Sequence, residues 1–363
     1  MNEKARVEVT HPYLVMMGLY LGAFIGMFSE TALNIALPQL MQVFHVDTSV
    51  AQWLVVGYML VIGLVLPFAS LLMKLFPVRK LVMFALSVFM IGALVSGCAI
   101  NFPLLLCGRL MQGIGTGLIL PIMFSVVLEV FPASKIGQAM GFTSLIIMFA
   151  PAIGPTLSGI ILGFASWRIL FFIFAIILCV GLIFTYKYCV NPYKIVKVKV
   201  DSYSCLTSCL GFGGLVLGAG LASMYGWISC PVIISLLVGI VSLILYCRRQ
   251  LSMENPILNL NAFKIRNFSV GTILVMINFG ITLSAMYILP QYLQNGAGYA
   301  VVATGIIMLP GGIINAIVSL SAGKFYDKMG AKSLGRMGFL LSMIGVVLFL
   351  RTTKSSSLAA HHQ

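Results

Sequence analysis

Two formal charges lie deep inside apolar stretches of this chain, Glu30 in the first and Arg109 in the fourth. Ionisable groups in such surroundings are costly to keep and are functional candidates for that reason. A carboxylate held between the penalty of desolvation and the pull of a nearby cation can load and release a proton near neutral pH. Counting from the span ends at 1.5 Å per residue places both ~8 to 9 Å below the same surface, so the two could pair. The plainer alternative is a static ion pair locking two helices together. A third position of interest is Gly154-Pro155, where proline removes a backbone donor and the neighbouring glycine permits close approach, a combination that bends a helix. Ala150, Gly154 and Ser158 recur every four positions and form a face on which another helix can slide or simply pack.

The elements that must hold these residues are membrane spans. A hydrocarbon core of about 30 Å needs about 20 apolar residues per helix. Eleven such stretches are read near 13–36, 51–73, 80–99, 103–128, 139–163, 168–187, 205–225, 229–247, 268–290, 300–322 and 334–350. Helices are the expected form, since they satisfy their backbone internally in lipid. The first stretch has full spanning length and no small-residue cleavage site after it, so it is expected to be retained rather than removed as a signal. Most of the 22 Lys and Arg fall in the N-terminal tail and the even-numbered connections, which makes those sides, and the N-terminus, cytoplasmic. The net charge of +14 is therefore a topology signal, with no nucleic-acid partner implied.

The chain also repeats itself. Leu37-Pro38-Gln39-Leu40-Met41-Gln42 closes the first span, and Leu289-Pro290-Gln291-Tyr292-Leu293-Gln294 closes the ninth. The turn at 70–80, with Lys74, Arg79 and Lys80, matches the turn at 323–333 at nearly the same offset of about 250 residues. Both copies start from the same side, so they are parallel repeats, with the seventh and eighth spans an inserted pair.

Four motifs carry a resemblance. Gly323-x-Phe325-Tyr326-Asp327-Lys328-x-Gly330-x-Lys332 resembles the G-x-L-x-D-R-x-G-R-R loop of the major facilitator superfamily. Arg109-x-x-Gln112-Gly113-x-Gly115 resembles its fourth-helix motif, and Ala150-x-x-x-Gly154-Pro155-x-x-Ser158-Gly159 its fifth-helix antiporter signature, the most specific of the set. The run from Ser29 through Asn34 to Pro38 is similar to the first-helix signature of the fourteen-helix drug:proton antiporters of the lincomycin-resistance type. The likeness covers residues 10 to 350. It implies proton-coupled export of small amphipathic drugs by alternating access, with Glu30 as proton carrier, Arg109 tuning it, and Gln112, Gly113, Asn34 and Pro38 supporting the motifs. Gly154, Pro155 and Gly159 would form a gating helix. Gly323, Asp327, Lys328, Gly330 and Arg79 would form a cytoplasmic latch, unless these are ordinary solvated loop charges. In the first copy Lys74 and Pro77 replace the family's Asp and Gly, and Glu129 is a candidate substitute partner for Arg79 or Lys80.

The expected architecture is an all-α polytopic membrane protein, a facilitator-type bundle of parallel six-helix repeats with two inserted central helices. Residues 1–190 are expected to form the N-terminal half, 191–267 the linker and inserted pair, 268–350 a partial C-terminal half of three helices, and 351–363 a polar tail. That tail, with Arg351 and Lys354 on the outer side against the charge bias, reads as a frame ending about three helices short. A transporter of another small-molecule class, a non-transporting remnant or a membrane sensor are the alternatives. No cofactor or metal is expected. The Gly-Lys-Ser core of a phosphate loop is absent, Leu118 breaks the dinucleotide pattern of Gly113 and Gly115, the four His lack ligand spacing, and the eight Cys form no C-x-x-C pair. The expected partners are a small-molecule substrate, protons and the lipid bilayer.

Overall fold

A computed structural model describes residues 11–132, 135–192, 201–253, 256, 258–293, 297–299 and 301–360. Each of the eleven expected spans falls on helix, and the described residues contain no strand. The helices are α1 (Pro12–Phe44), α2 (Thr48–Leu75), α3 (Val78–Gly97), α4 (Phe102–Val130), α5 (Ile136–Phe164), α6 (Arg168–Tyr188), α7 (Ser202–Tyr225), α8 (Cys230–Ser252) and α9 (Arg266–Gln291). A last helical run, Val301–Ala360, breaks at Gly330, whose φ of 73° and ψ of 165° suit only glycine, giving α10 (301–329) and α11 (331–360). Among the described residues eight helices, α1 to α8, are long and apolar enough to cross a membrane.

Helix ends follow local chemistry. Pro12 opens α1, where the missing N–H is no loss. Asn101 caps α4, its side chain accepting from Leu104 N at 2.9 Å. Two expected ends move. Pro38 does not close α1 but lies inside it, and the helix continues to Phe44; one absent donor near a helix end costs little when the remaining turns keep theirs. In the other direction α2 is less regular than its hydropathy suggests, passing through a 3-10 stretch at Leu66–Phe68 around Pro67. Backbone helix also runs on to Ala360 through residues read as a polar tail.

The continuous buried core lies within the first six helices, from Val15 to Cys189. There α1 packs on α4, α5 and α6, while α4 packs on α2 and α3. Glycines set the closest crossings. A Cβ on Gly92 of α3 would lie 2.6 Å from the Gly108 carbonyl of α4, and one on Gly113 of α4 would lie 2.9 Å from the Tyr58 carbonyl of α2. Helix association in lipid relies on such backbone approach, because lipid tails are as apolar as leucine. The pair α7 and α8 forms a hairpin with Gly214 against Gly239, and α7 lies on the outer side of α2. Helix α10 leans on α5, with a Cβ on Gly312 falling 3.1 Å from Ala152 Cβ.

Candidate functional site

The close crossing of α1, α2 and α4 encloses a polar cluster, built by helical spacing. Arg109, Gln112 and Thr116 share one face of α4, Leu54 and Tyr58 one face of α2, and Gly26 and Ser29 one face of α1. Arg109 is 0% exposed. Its Nε donates to the Leu54 carbonyl at 3.2 Å, and its NH1 donates to Gln112 Oε1 at 2.7 Å and to Ser29 Oγ at 3.4 Å. The guanidinium carbon lies 4.1 Å from the centroid of the Tyr58 ring. Tyr58 is fixed in turn, its hydroxyl donating to the Gly26 carbonyl at 2.9 Å and lying 2.8 Å from Thr116 Oγ1. Gln112 passes its amide on to Ser96 Oγ of α3 at 3.1 Å. Burying a guanidinium costs several kcal/mol, and these hydrogen bonds with the ring face offset much of it. One donor is left over: the Arg109 NH2 is buried without a partner.

Glu30 lies beside this cluster and does not join it. Its charge is within electrostatic reach of Arg109. Even so, the Asp201–Arg249 bridge is the one ion pair within 4.0 Å among the described residues, so no Glu30–Arg109 pair closes. Glu30 is half-buried, and one turn further along the same face Asn34 is exposed, as is Pro38. Glu30 thus stands at one end of a strip of α1 whose residues are partly or fully exposed, while the Arg109 guanidinium is sealed.

Gly154 of α5 packs against this part of α1: a Cβ there would run into Thr31 Oγ1 and come within 3.2 Å of Thr31 Cβ and 3.5 Å of the Phe28 carbonyl. Pro151 and Pro155 both lie inside α5, so two backbone donors are missing around this crossing. Ser158 Oγ donates to the Gly154 carbonyl, and Gly159 is half-buried. Arg79 finds its partners on α6 and just beyond it rather than in a carboxylate. At the start of α3 its guanidinium donates to the Tyr186 carbonyl and stacks 4.9 Å from the Tyr186 ring, while its backbone N–H donates to Asn191 Oδ1 at 3.0 Å. It therefore ties α3 to the last turn of α6, where orphan carbonyls attract a cation. Glu129 closes no ion pair with Arg79 or Lys80 among the described residues. Gly323, Asp327 and Lys328 are on the helical backbone of α10, and their side chains lie outside the described residues; Gly330 forms the break after them.

Sequence reasoning found Glu30, Arg109 and Gln112, placed Ser29 only at the head of a motif, and missed Tyr58, Ser96 and Thr116. Depth was the available signal for Tyr58, which sits as far into the second span as Arg109 sits into the fourth. Away from this cluster, a cavity of about 890 Å³ opens between α5, α9, α10 and α11, lined by apolar residues such as Ile281, Ile307 and Val346 with Thr282, Ser284 and Asn315 among them.

Comparison with known proteins bears on the family and the fold. Residues 19–203 and 202–361 match the family model of the Major Facilitator Superfamily. A lincomycin resistance protein, LmrB, of Listeria innocua is 40% identical over 346 residues, 95% of this chain and 74% of that protein. The LmrB protein of Bacillus subtilis is 44% identical over 338 residues, 92% of this chain and 70% of that protein. Among solved structures, the xylose transporter XylE from E. coli matches with a TM-score of 0.54 at 16% identity, over 89% of this chain and 75% of that one. A charged residue, Arg109, buried at a glycine-rich crossing of apolar helices of spanning length, and matches over nearly the whole length, lead to one conclusion: the chain is a multi-pass membrane protein and belongs to the Major Facilitator Superfamily.

Proposed function

We propose that the chain is a proton-coupled exporter of small amphipathic compounds that works by alternating access, with its N-terminus in the cytoplasm of a cell whose membrane it spans. The observation that carries this reading is the unpaired Glu30 carboxylate on an accessible strip of α1, in reach of a fully buried Arg109. A carboxylate already neutralised by a tight ion pair would have no use for a proton. One that is unpaired and shares a field with a fixed cation can exchange a proton between the two faces as the helices move. The names of the relatives, both lincomycin resistance proteins, support a drug as the exported compound, and the largely apolar cavity with a few hydroxyl and amide groups suits an amphipathic one.

In this account Glu30 carries the proton and Arg109 supplies the positive field. Gly154, Pro155 and Gly159 let α5 shift against α1. The end of α10 through Gly323, Asp327 and Lys328 and the break at Gly330 latch one of the two states, and Arg79 braces α3 to α6 within the first half. Residues 1–190 act as one half, 191–267 as linker and inserted pair, and 268–350 as the part of the second half on which α5 slides. The test is substrate-dependent proton movement in vesicles holding the purified chain and a pH-sensitive dye. Addition of a fluorescent amphipathic cation should dissipate an imposed pH gradient. A gradient that survives unchanged would overturn the reading in favour of a membrane sensor or a non-transporting remnant.

A further inference from the structure

We propose that Tyr58 is a positioning residue: its ring face holds the Arg109 guanidinium against α2, off the Glu30 carboxylate, and so keeps that carboxylate open to a proton. The inference rests on the reading of Glu30 as the proton carrier and concerns what keeps Glu30 free.

Left to themselves, a buried guanidinium and a carboxylate in electrostatic reach would close a bidentate pair, the strongest contact available to either. They do not. The grip that prevents it comes chiefly from α2, which offers Arg109 two things one turn apart, the Leu54 carbonyl at 3.2 Å from Nε and the Tyr58 ring at 4.1 Å from the guanidinium carbon. Cation–ring contacts strengthen as water is removed, and both partners here are 0% exposed. The ring is held by its complete burial, Tyr58 being 0% exposed, and its hydroxyl adds a bond to the Gly26 carbonyl of α1 and lies 2.8 Å from Thr116 Oγ1 of α4. Gln112 and Ser29 take NH1 from the other side. What remains is NH2, a buried donor with no acceptor, and a carboxylate is the group it would take if the ring let go.

The experiment reads Glu30 directly, without transport. Dicyclohexylcarbodiimide modifies protonated carboxyl groups in apolar surroundings, and peptide mass spectrometry on the purified chain in lipid nanodiscs gives the rate at Glu30. Wild type is expected to label. Tyr58→Phe keeps the ring and should label within about twofold of wild type, whereas Tyr58→Met keeps the bulk without a ring face and should label about tenfold more slowly, as Arg109 moves onto Glu30. Adding Arg109→Gln to Tyr58→Met should restore the rate. An unlabelled Glu30 in wild type, a wild-type rate in folded Tyr58→Met, or no recovery in the double variant would each overturn the assignment. So would Tyr58→Phe labelling as slowly as Tyr58→Met. If Tyr58→Met does not fold, Gln112→Leu removes the 2.7 Å acceptor of NH1 and should slow labelling several-fold; a wild-type rate there overturns the proposal equally. The expected labelling pattern in a chain that moves no protons would sink the transport reading and leave the placement of Tyr58 standing.

Discussion

Replacing Gly154 by alanine puts a methyl group into the crossing of α5 and α1 beside Glu30, and the geometry sets both sign and size. Alanine in a helix interior is favoured over glycine by roughly 0.5 to 1 kcal/mol, so with open space the variant would be more stable. The space is not open. The new carbon would overlap Thr31 Oγ1 and sit 3.2 Å from Thr31 Cβ. Thr31 Oγ1 is itself held by a hydrogen bond to the Phe28 carbonyl at 3.2 Å, so it does not swing aside freely. Forcing a methylene into a packed interior costs about 1 to 3 kcal/mol, which outweighs the helix preference and leaves a net loss near 1 kcal/mol. Thr31→Ala removes the overlapping oxygen. In the double variant most of the overpacking disappears while the helix preference remains, giving a coupling of about 1 to 2 kcal/mol in favour of the pair. The assay is reversible unfolding of the four proteins in mixed micelles. A coupling below about 0.3 kcal/mol would show that Gly154 and Thr31 do not touch in the populated state, and the α1–α5 contact would have to be redrawn.

Three further outcomes follow from the structure. The Asp201 carboxylate accepts from Arg249 Nε at 3.0 Å and from Ser204 Oγ at 2.6 Å, which together hold it below the usual carboxylate range. A lowered value stabilises only while the group is charged, so the contact is full above pH ~4 and fades as pH falls further. Asp201→Asn at pH 7 should therefore lose hydrogen-exchange protection at the start of α7, and wild type should lose protection there progressively as pH falls below about 4; equal protection in all samples would contradict the assignment. Gly330→Ala, at φ 73° and ψ 165°, should lower stability by about 1 to 3 kcal/mol, read from thermal unfolding, because no other residue occupies that conformation cheaply. In a variant lacking the eight native cysteines, a cysteine placed at 190–200 should react only from the cytoplasm and one at 292–298 only from outside; reversed labelling overturns the orientation.

The fold was legible because its signal is coarse. A run of about 20 apolar residues needs no partner to be recognised, and every such run is helical here. What the pattern concealed was detail that depends on neighbours. Pro38 looked like a terminator and proved tolerable inside α1, and Pro67 turned part of α2 into a tighter coil. At the site, formal charge drew attention to Glu30 and Arg109, since few residues explain themselves so poorly in lipid. Whether the two pair was undecidable from spacing. The contacts that hold Arg109 come from Tyr58, an aromatic that only its depth in the second span separates from ordinary packing, and from a carbonyl at Leu54 that any residue would have supplied. Arg79 was misleading for a related reason. Its motif suggested a carboxylate partner, whereas the acceptor is a backbone oxygen at the end of α6, invisible to any reading of side chains.

The central claim is that Glu30 exchanges protons because it is unpaired, and Glu30→Gln tests it most directly. Glutamine keeps the shape and hydrogen-bonding capacity and removes the titrating group, easing membrane insertion rather than hindering it. In vesicles holding equal amounts of each protein, with an imposed pH gradient, wild type should move a fluorescent amphipathic cation in a gradient-dependent way and Glu30→Gln should move it no faster than protein-free vesicles. Gradient-driven movement by Glu30→Gln at the wild-type rate would contradict the account.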